Sequence, residues 1–265
     1  MTIDYRAERV LITGASSGIG AEFARQVAAR GADVVLVARR ADRLEKLAAE
    51  LSEQYGVTAT ALPVDLSQPR VGQVLSAALA AKDIEVTAII NNAGFATQGA
   101  FHTEDPDRLR AEIAVDVSSV VDISRTFINR MRERGAGFLV NVASMAAYQG
   151  NPTMAVYGAT KAFVLNFTEA LWYESRGTGV RVLAVSPGAT DTEFFDVAGD
   201  AAGGGSGRMP AAEVVRTALA ALEAGNPPPA VIAGRVNRLS ETVGRLLGRR
   251  RSTMMVGSLM ARASR

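Results

Sequence analysis

Cysteine is absent from this chain of 265 residues, histidine occurs once, at His102, and tryptophan once, at Trp172. Without cysteine there is no disulfide, no thiolate nucleophile and no sulfur-ligated metal. A single imidazole leaves little from which to build a zinc site. No apolar run approaches the ~18 residues of a membrane helix. The opening MTIDYRAERVLITG is interrupted by Asp4, Arg6, Glu8 and Arg9, too polar for a signal peptide, and a cytoplasmic location is expected.

What is present suits a sizeable core: 48% of residues are hydrophobic, and one α/β domain over 1–265 is expected. The charge is uneven. From Gly234 to Arg265 there are eight arginines against one acid, Glu241, a net +7 in a chain whose total is +2, so the remainder carries −5.

Short β-branched runs alternate with longer segments rich in Ala, Leu, Glu and Arg. Strands are predicted over 9–13, 33–38, 58–64, 86–91, 137–143, 180–186 and 230–233. Near-continuous apolar strands separated by helices imply a doubly wound, Rossmann-like parallel sheet of about seven strands with helices on both faces. The glycine-rich stretch GDAAGGGSGRMP, 199–210, follows a strand end where such folds bind ligands, and a mobile lid at about 190–210 is expected.

TGASSGIG, Thr13 to Gly20, follows the first strand and opens a helix. Gly14, Gly18 and Gly20 would let backbone pass close to a pyrophosphate at a helix N-terminus, with Ser16, Ser17 and Ile19 in the same turn. At the end of the second strand, where a carboxylate would hold the ribose of NAD, stand Arg39 and Arg40. Guanidinium groups pair with two phosphate oxygens at once, and Ser16 adds a hydroxyl, so NADP (NADPH) is the expected cofactor.

The remaining chemistry concentrates in VYGATK. Tyr157 and Lys161 are four residues apart, on one face of a predicted helix, and Ser144 closes the preceding strand. A phenol with pKa near ~10 exchanges protons poorly at neutral pH, and a neighbouring ammonium lowers that value. In carbonyl reduction Tyr157 would give its proton to the developing alkoxide while Ser144 steadies the same oxygen.

These motifs together resemble the short-chain dehydrogenase/reductases in their single-domain form, over roughly Arg9 to Phe195. TGASSGIG is similar to that family's cofactor loop, and VDL (Val64 to Leu66) to the segment whose Asp65 meets adenine, with Leu66 beside it. NNAG, with Asn92, Ala93 and Gly94, resembles the motif closing the fourth strand. PGATDT, with Pro187, Gly188, Thr190 and Thr192, is similar to the nicotinamide-side turn. The resemblance implies metal-free hydride transfer between a nicotinamide and a small-molecule carbonyl or alcohol, and a homodimer or homotetramer joined through the helices carrying Asp116 and Tyr157. One position departs from the pattern: where the family usually has asparagine, in a helix whose backbone carbonyl holds a water linked to the lysine, this chain has Asp116.

Other residues keep two readings. His102 reads as a surface group, Trp172 and Tyr173 as core or subunit contact, and Phe194 and Phe195 as substrate pocket or ordinary packing. The basic extension at about 234–265 either packs on the body or a second subunit, the preferred reading, or lies on an anionic membrane. It has no recognition motif for nucleic acid. The alternative to an enzyme is a nucleotide-sensing, catalytically weak or inactive binding protein on the same fold.

Overall fold

A computed structural model describes residues 3–203 and 207–263. All seven predicted strands form one parallel sheet. Its members are β1 (Arg9–Thr13), β2 (Asp33–Ala38), β3 (Ala59–Pro63), β4 (Ala88–Asn91), β5 (Phe138–Val142), β6 (Arg181–Ser186) and β9 (Ala230–Ile232). The spatial order is β3-β2-β1-β4-β5-β6-β9. Two further strands, β7 (Thr190–Asp191) and β8 (Met209–Pro210), pair only with each other, across the segment expected to be an irregular lid. Two residues are too short a run for any periodic signal.

The strands are buried on both faces, so successive residues enter different cores. Val10 and Ile12 of β1 pack with Phe23, Val27, Leu44, Leu51 and Leu219, which come from α1 (Gly18–Ala28), α2 (Ala41–Tyr55) and α8 (Ala211–Glu223). Leu11, between them, packs with Leu75 of α3 (Val71–Ala80) and with Ile123 and Phe127 of α5 (Ser119–Arg134). Each such side chain contributes about 1.5–3 kcal/mol by leaving water. The helices show why they form: α2 buries Leu44, Leu47, Ala48 and Leu51 on one face and stops at Gly56, whose φ of 68° closes the helix in a left-handed cap.

The chain winds outward from β1 to β3, then returns to lay β4, β5 and β6 on the other side. The crevice between the β1 and β4 ends is therefore the switch point where doubly wound sheets bind ligands. α4 (Pro106–Ile113) runs into a π-helical turn, Ala114–Ser118, before α5. α6 (Ala155–Glu174) follows β5, and the short α7 (Phe194–Ala198) follows β7. α9 (Arg235–Ala263) is kinked at Gly248, where φ is 72° and ψ 155°. Among the described residues no helix is long and apolar enough to cross a membrane.

Candidate active site

At the C-terminal ends of the strands lies a cleft of about 1440 Å³, lined among others by Gly14, Arg39, Asp65, Asn92, Tyr157 and Thr190. Its floor begins with the turn after β1. Gly14 and Gly18 have φ of 66° and 55°. A Cβ on Gly14 would lie 2.8 Å from Asn92 Nδ2, and one on Gly20 only 2.3 Å from the Gly14 carbonyl oxygen, so neither position has room for a side chain. Thr13 Oγ1 accepts the backbone N–H groups of Asn92 and Ala93 at 2.9 and 3.0 Å, and Asn92 Nδ2 donates to the Thr13 carbonyl at 2.9 Å. The glycine turn and the NNAG segment are thereby tied together across the switch point.

Toward the β2 side, Arg39 is exposed and Asp65 carries an Asx turn, accepting from Ser67 N at 3.0 Å. Arg40 differs from the picture of a waiting phosphate ligand. Its guanidinium donates to Ser16 Oγ at 2.9 Å and Ser17 Oγ at 3.0 Å, and it pairs with Glu193 Oε2 at 2.8 Å. Arg43 grips the other oxygen of Glu193. The two guanidinium groups, Arg43 first, hold the Glu193 carboxyl down at about 2. Glu193, which the sequence reading did not single out although it directly follows Thr192, thus bridges from the β7 turn to α2 across the cleft.

At the other end, Ser144 N-caps a 3-10 turn, Met145–Tyr148, its hydroxyl accepting from Ala146 N at 3.1 Å. Tyr157 and Lys161 project from α6 as their spacing requires, and Ser144 lines the cleft with them. Lys161 is buried, donates to the Val142 carbonyl at 3.3 Å and forms an ion pair of 3.0 Å with Asp116 Oδ2. Asp116, fully buried in the π turn, also accepts from Phe95 N at 3.1 Å. The substitution for asparagine therefore acts through its side chain, directly on the lysine. The Gly94 position makes room: a Cβ there would come 2.9 Å from Lys161 Nζ and 3.0 Å from Asp116 Oδ1.

The electrostatics depart from a simple lysine-activated phenol. Burial raises the Tyr157 pKa, and Lys161 lowers it by less, while Asp116 and Glu112 push the same way as burial; the net direction is up. Burial also opposes the Lys161 charge, but Asp116 and Tyr157 outweigh it and hold the ammonium above its ordinary pKa. Asp116 itself is raised, burial exceeding the effect of Lys161. Glu112, a further buried acid that sequence reasoning missed, stands one turn before Asp116, the i, i+4 spacing that could have flagged it.

The roof comes from the chain's C-terminal third. Phe194 tilts against Tyr157 with ring centroids 5.5 Å apart, and Phe195 is buried beneath Arg208, whose guanidinium lies 4.0 Å from its ring centre. Both phenylalanines line the cleft. After the Gly248 kink, α9 sends Val256 and Met260 into an apolar cluster with Met154, Tyr157 and Phe194. Before the kink, Asn237 packs on Gly188, where a Cβ would lie 2.4 Å from its Nδ2. The basic extension thus packs on the body, over the cleft, leaving Val236, Leu239 and Leu246 exposed. Residues 204–206 of the glycine-rich segment lie outside the described residues. Away from the site, His102 is exposed, Trp172 donates to the Pro227 carbonyl at 2.9 Å, and Tyr173 is exposed.

A parallel doubly wound sheet, a glycine-rich turn at its switch point and a Ser/Tyr/Lys cluster at the cleft define a dinucleotide-dependent class of α/β protein. Comparison with known proteins agrees. A sequence profile described as short chain dehydrogenase matches residues 8–202, and the chain belongs to the short-chain dehydrogenase/reductase family of oxidoreductases. A sulfoacetaldehyde reductase of Chromohalobacter salexigens is 39% identical over 191 residues, 70% of this chain and 73% of that protein. A solved short-chain dehydrogenase from Sphingobium yanoikuyae in complex with NADPH has a TM-score of 0.78 at 34% identity, covering 91% of this chain and 94% of its own. A 7beta-hydroxysteroid dehydrogenase structure has a TM-score of 0.85 at 29% identity, covering 97% and 100%.

Proposed function

We propose that this protein is an NADP(H)-dependent oxidoreductase interconverting a carbonyl and a secondary alcohol. The observation that carries the reading is the placement of Tyr157, Lys161 and Ser144 at one end of a cleft whose other end holds Ser16, Arg39 and Arg40. The floor fits a dinucleotide: a Cβ at Gly14, Gly18 or Gly20 would clash, the turn opens at a helix N-terminus, and Arg39 and Arg40 line the cleft where a 2′-phosphate would lie. When bound, the nicotinamide supplies the hydride.

The chain's own residues do the rest. Tyr157 Oη gives its proton to the carbonyl oxygen as the alkoxide forms, and Ser144 Oγ donates a hydrogen bond to that oxygen. A phenol held above its ordinary pKa arrives protonated, and Lys161 stabilises the phenolate that remains. Asp65 and Leu66 would border the adenine, Pro187, Gly188, Thr190 and Thr192 the nicotinamide. Arg40 must exchange the Glu193 carboxylate for the cofactor phosphate. The apolar roof of Met154, Phe194, Val256 and Met260 favours a bulky apolar ketone over a small sulfonated aldehyde. Phe163, exposed on α6 and stacked on Phe167, supports a homo-oligomer joined through that helix. Residues 190–210 act as the lid, and the protein works in the cytoplasm.

The test is calorimetric titration with NADPH and NADH, followed by turnover of ketones by wild type and Tyr157→Phe. Tighter NADPH binding, with turnover abolished but cofactor affinity kept in the variant, is expected. Tighter NADH binding overturns the cofactor assignment. Cofactor binding without any turnover favours the second reading, a nucleotide-sensing protein, to which the neutralisation of Lys161 by Asp116 lends support.

A further inference from the structure

The buried cluster beneath Tyr157 contains more acid than the reaction described above uses. Glu112 has no exposed surface. Its Oε2 accepts from Thr97 N at 3.1 Å and from Thr97 Oγ1 at 2.7 Å, while Oε1 is buried with no hydrogen-bond partner among the described residues. Two hydrogen bonds on one oxygen and none on the other leave a buried carboxylate poorly solvated, and the uncharged carboxyl loses less by the same burial. The charges that bear on it are Asp116, on its own helical run, and Lys161, on α6; the loop after β4 offers only the Thr97 amide and hydroxyl. One buried ammonium thus faces two buried carboxyls. Asp116 holds the lysine at 3.0 Å, which leaves Glu112 as the acid without a counterion. Burial, the largest influence, and Asp116 raise the Glu112 pKa to about 7, against the hydrogen bonds from Thr97 and the charge of Lys161.

Resting on the reading of Tyr157 as proton donor, we propose that Glu112 is the proton store of this site, a positioning residue that restores Tyr157 after each reduction through Asp116 and Lys161. Tyr157 loses one proton to the product alcohol and becomes phenolate. Lys161 Nζ returns a proton to the phenolate, Glu112 returns one to Lys161 by way of Asp116 through water admitted to the cluster, and the same water reprotonates Glu112 from solvent, so one solvent proton is consumed per turnover. The sign follows: reduction needs Glu112 protonated and is fastest below about pH 7, falling as pH rises through that value. In alcohol oxidation the same group must accept, and the limb runs the other way.

The experiment uses the full chain with glutamate labelled by 13C at the side-chain carboxyl. NMR of the cofactor-free protein should show one glutamate resonance titrating near neutral pH. It should vanish in Glu112→Gln, and its midpoint should fall by about one pH unit in Asp116→Asn, where a like charge is removed. Steady-state reduction of an aryl ketone such as propiophenone with NADPH should show a kcat limb at that midpoint. Glu112→Gln should flatten the limb, and Thr97→Val, which removes one hydrogen bond to the carboxylate, should move it to higher pH. A Glu112 that titrates in the ordinary carboxylate range, is indifferent to Asp116→Asn, or leaves the limb in place when replaced overturns the proposal. A purely structural role would change thermal stability and leave the limb where it was. The NMR arm needs no turnover, so a failure of Tyr157 as proton donor would appear in the kinetics alone.

Discussion

The floor and the roof of the cleft are built on different terms. The loops of the floor each follow a buried strand, Gly14 after β1, Asn92 after β4, Ser144 after β5 and Pro187 after β6, and Tyr157 and Lys161 join them from α6. The registry of the sheet pins those ends, and Thr13 and Asn92 bolt two of them together. Apart from Met154, roof residues come from α7, the 3-10 turn after it and α9, which rest on the floor through side-chain packing. The difference teaches where each property can vary. Proton transfer needs sub-ångström placement, and the residues proposed for it are on the floor. Selection of a substrate tolerates repacking, and the residues proposed for it are on the roof.

The comparison predicts a gradient of effects. Removing the acid at the floor, by Tyr157→Phe, should lower kcat roughly 10²–10⁴-fold while NADPH affinity holds; a loss confined to KM would mean the floor is only a binding surface. Next, Arg40→Ala should weaken NADPH by about 10–100-fold, the worth of a charge-assisted pair, and leave NADH unchanged in a calorimetric titration. On the roof, Met260→Ala should raise KM for a bulky apolar ketone roughly tenfold through lost apolar contact, with NADPH affinity constant. An equal fall in cofactor affinity would show that roof and floor are one unit.

Smaller effects sharpen the boundary between them. Glu193→Gln releases Arg40 and Arg43 from a half-exposed ion pair, and should tighten NADPH by no more than about fivefold. Its carboxylate is held at about 2, so the wild-type competition persists across the neutral range and the gain should be independent of pH there. Smallest of all, Leu246→Ser on the exposed side of α9 should change stability by less than about 0.5 kcal/mol in thermal melts and leave kinetics unaltered.

The legible parts of the molecule were those with a local cause. Seven strands could be read from runs such as DVVLVA because burial on both faces demands uninterrupted apolar residues. The glycine turn and the Tyr157/Lys161 spacing could be read for the same reason: one chain segment suffices to state the constraint. Asp116 was visible as a departure from a resembled pattern, yet its direct grip on Lys161 was not, since helix and lysine meet from segments 45 residues apart in sequence. Arg40 was legible as a cation near a phosphate position, whereas its engagement by Glu193 depends on how the β7 turn crosses the cleft.

What the sequence determined by itself is the doubly wound sheet, the dinucleotide turn at its switch point and the identity of the groups on the floor, because periodicity and tight spacing express forces acting within a few residues. Tertiary structure alone decided that a lysine expected to lower the tyrosine's pKa is shared with Asp116, that Glu112 is buried with one carboxyl oxygen unpartnered among the described residues, and that an arginine-rich tail closes over the cleft. Those outcomes are set by desolvation and by charges brought together from distant segments, and both exist only once the chain has packed.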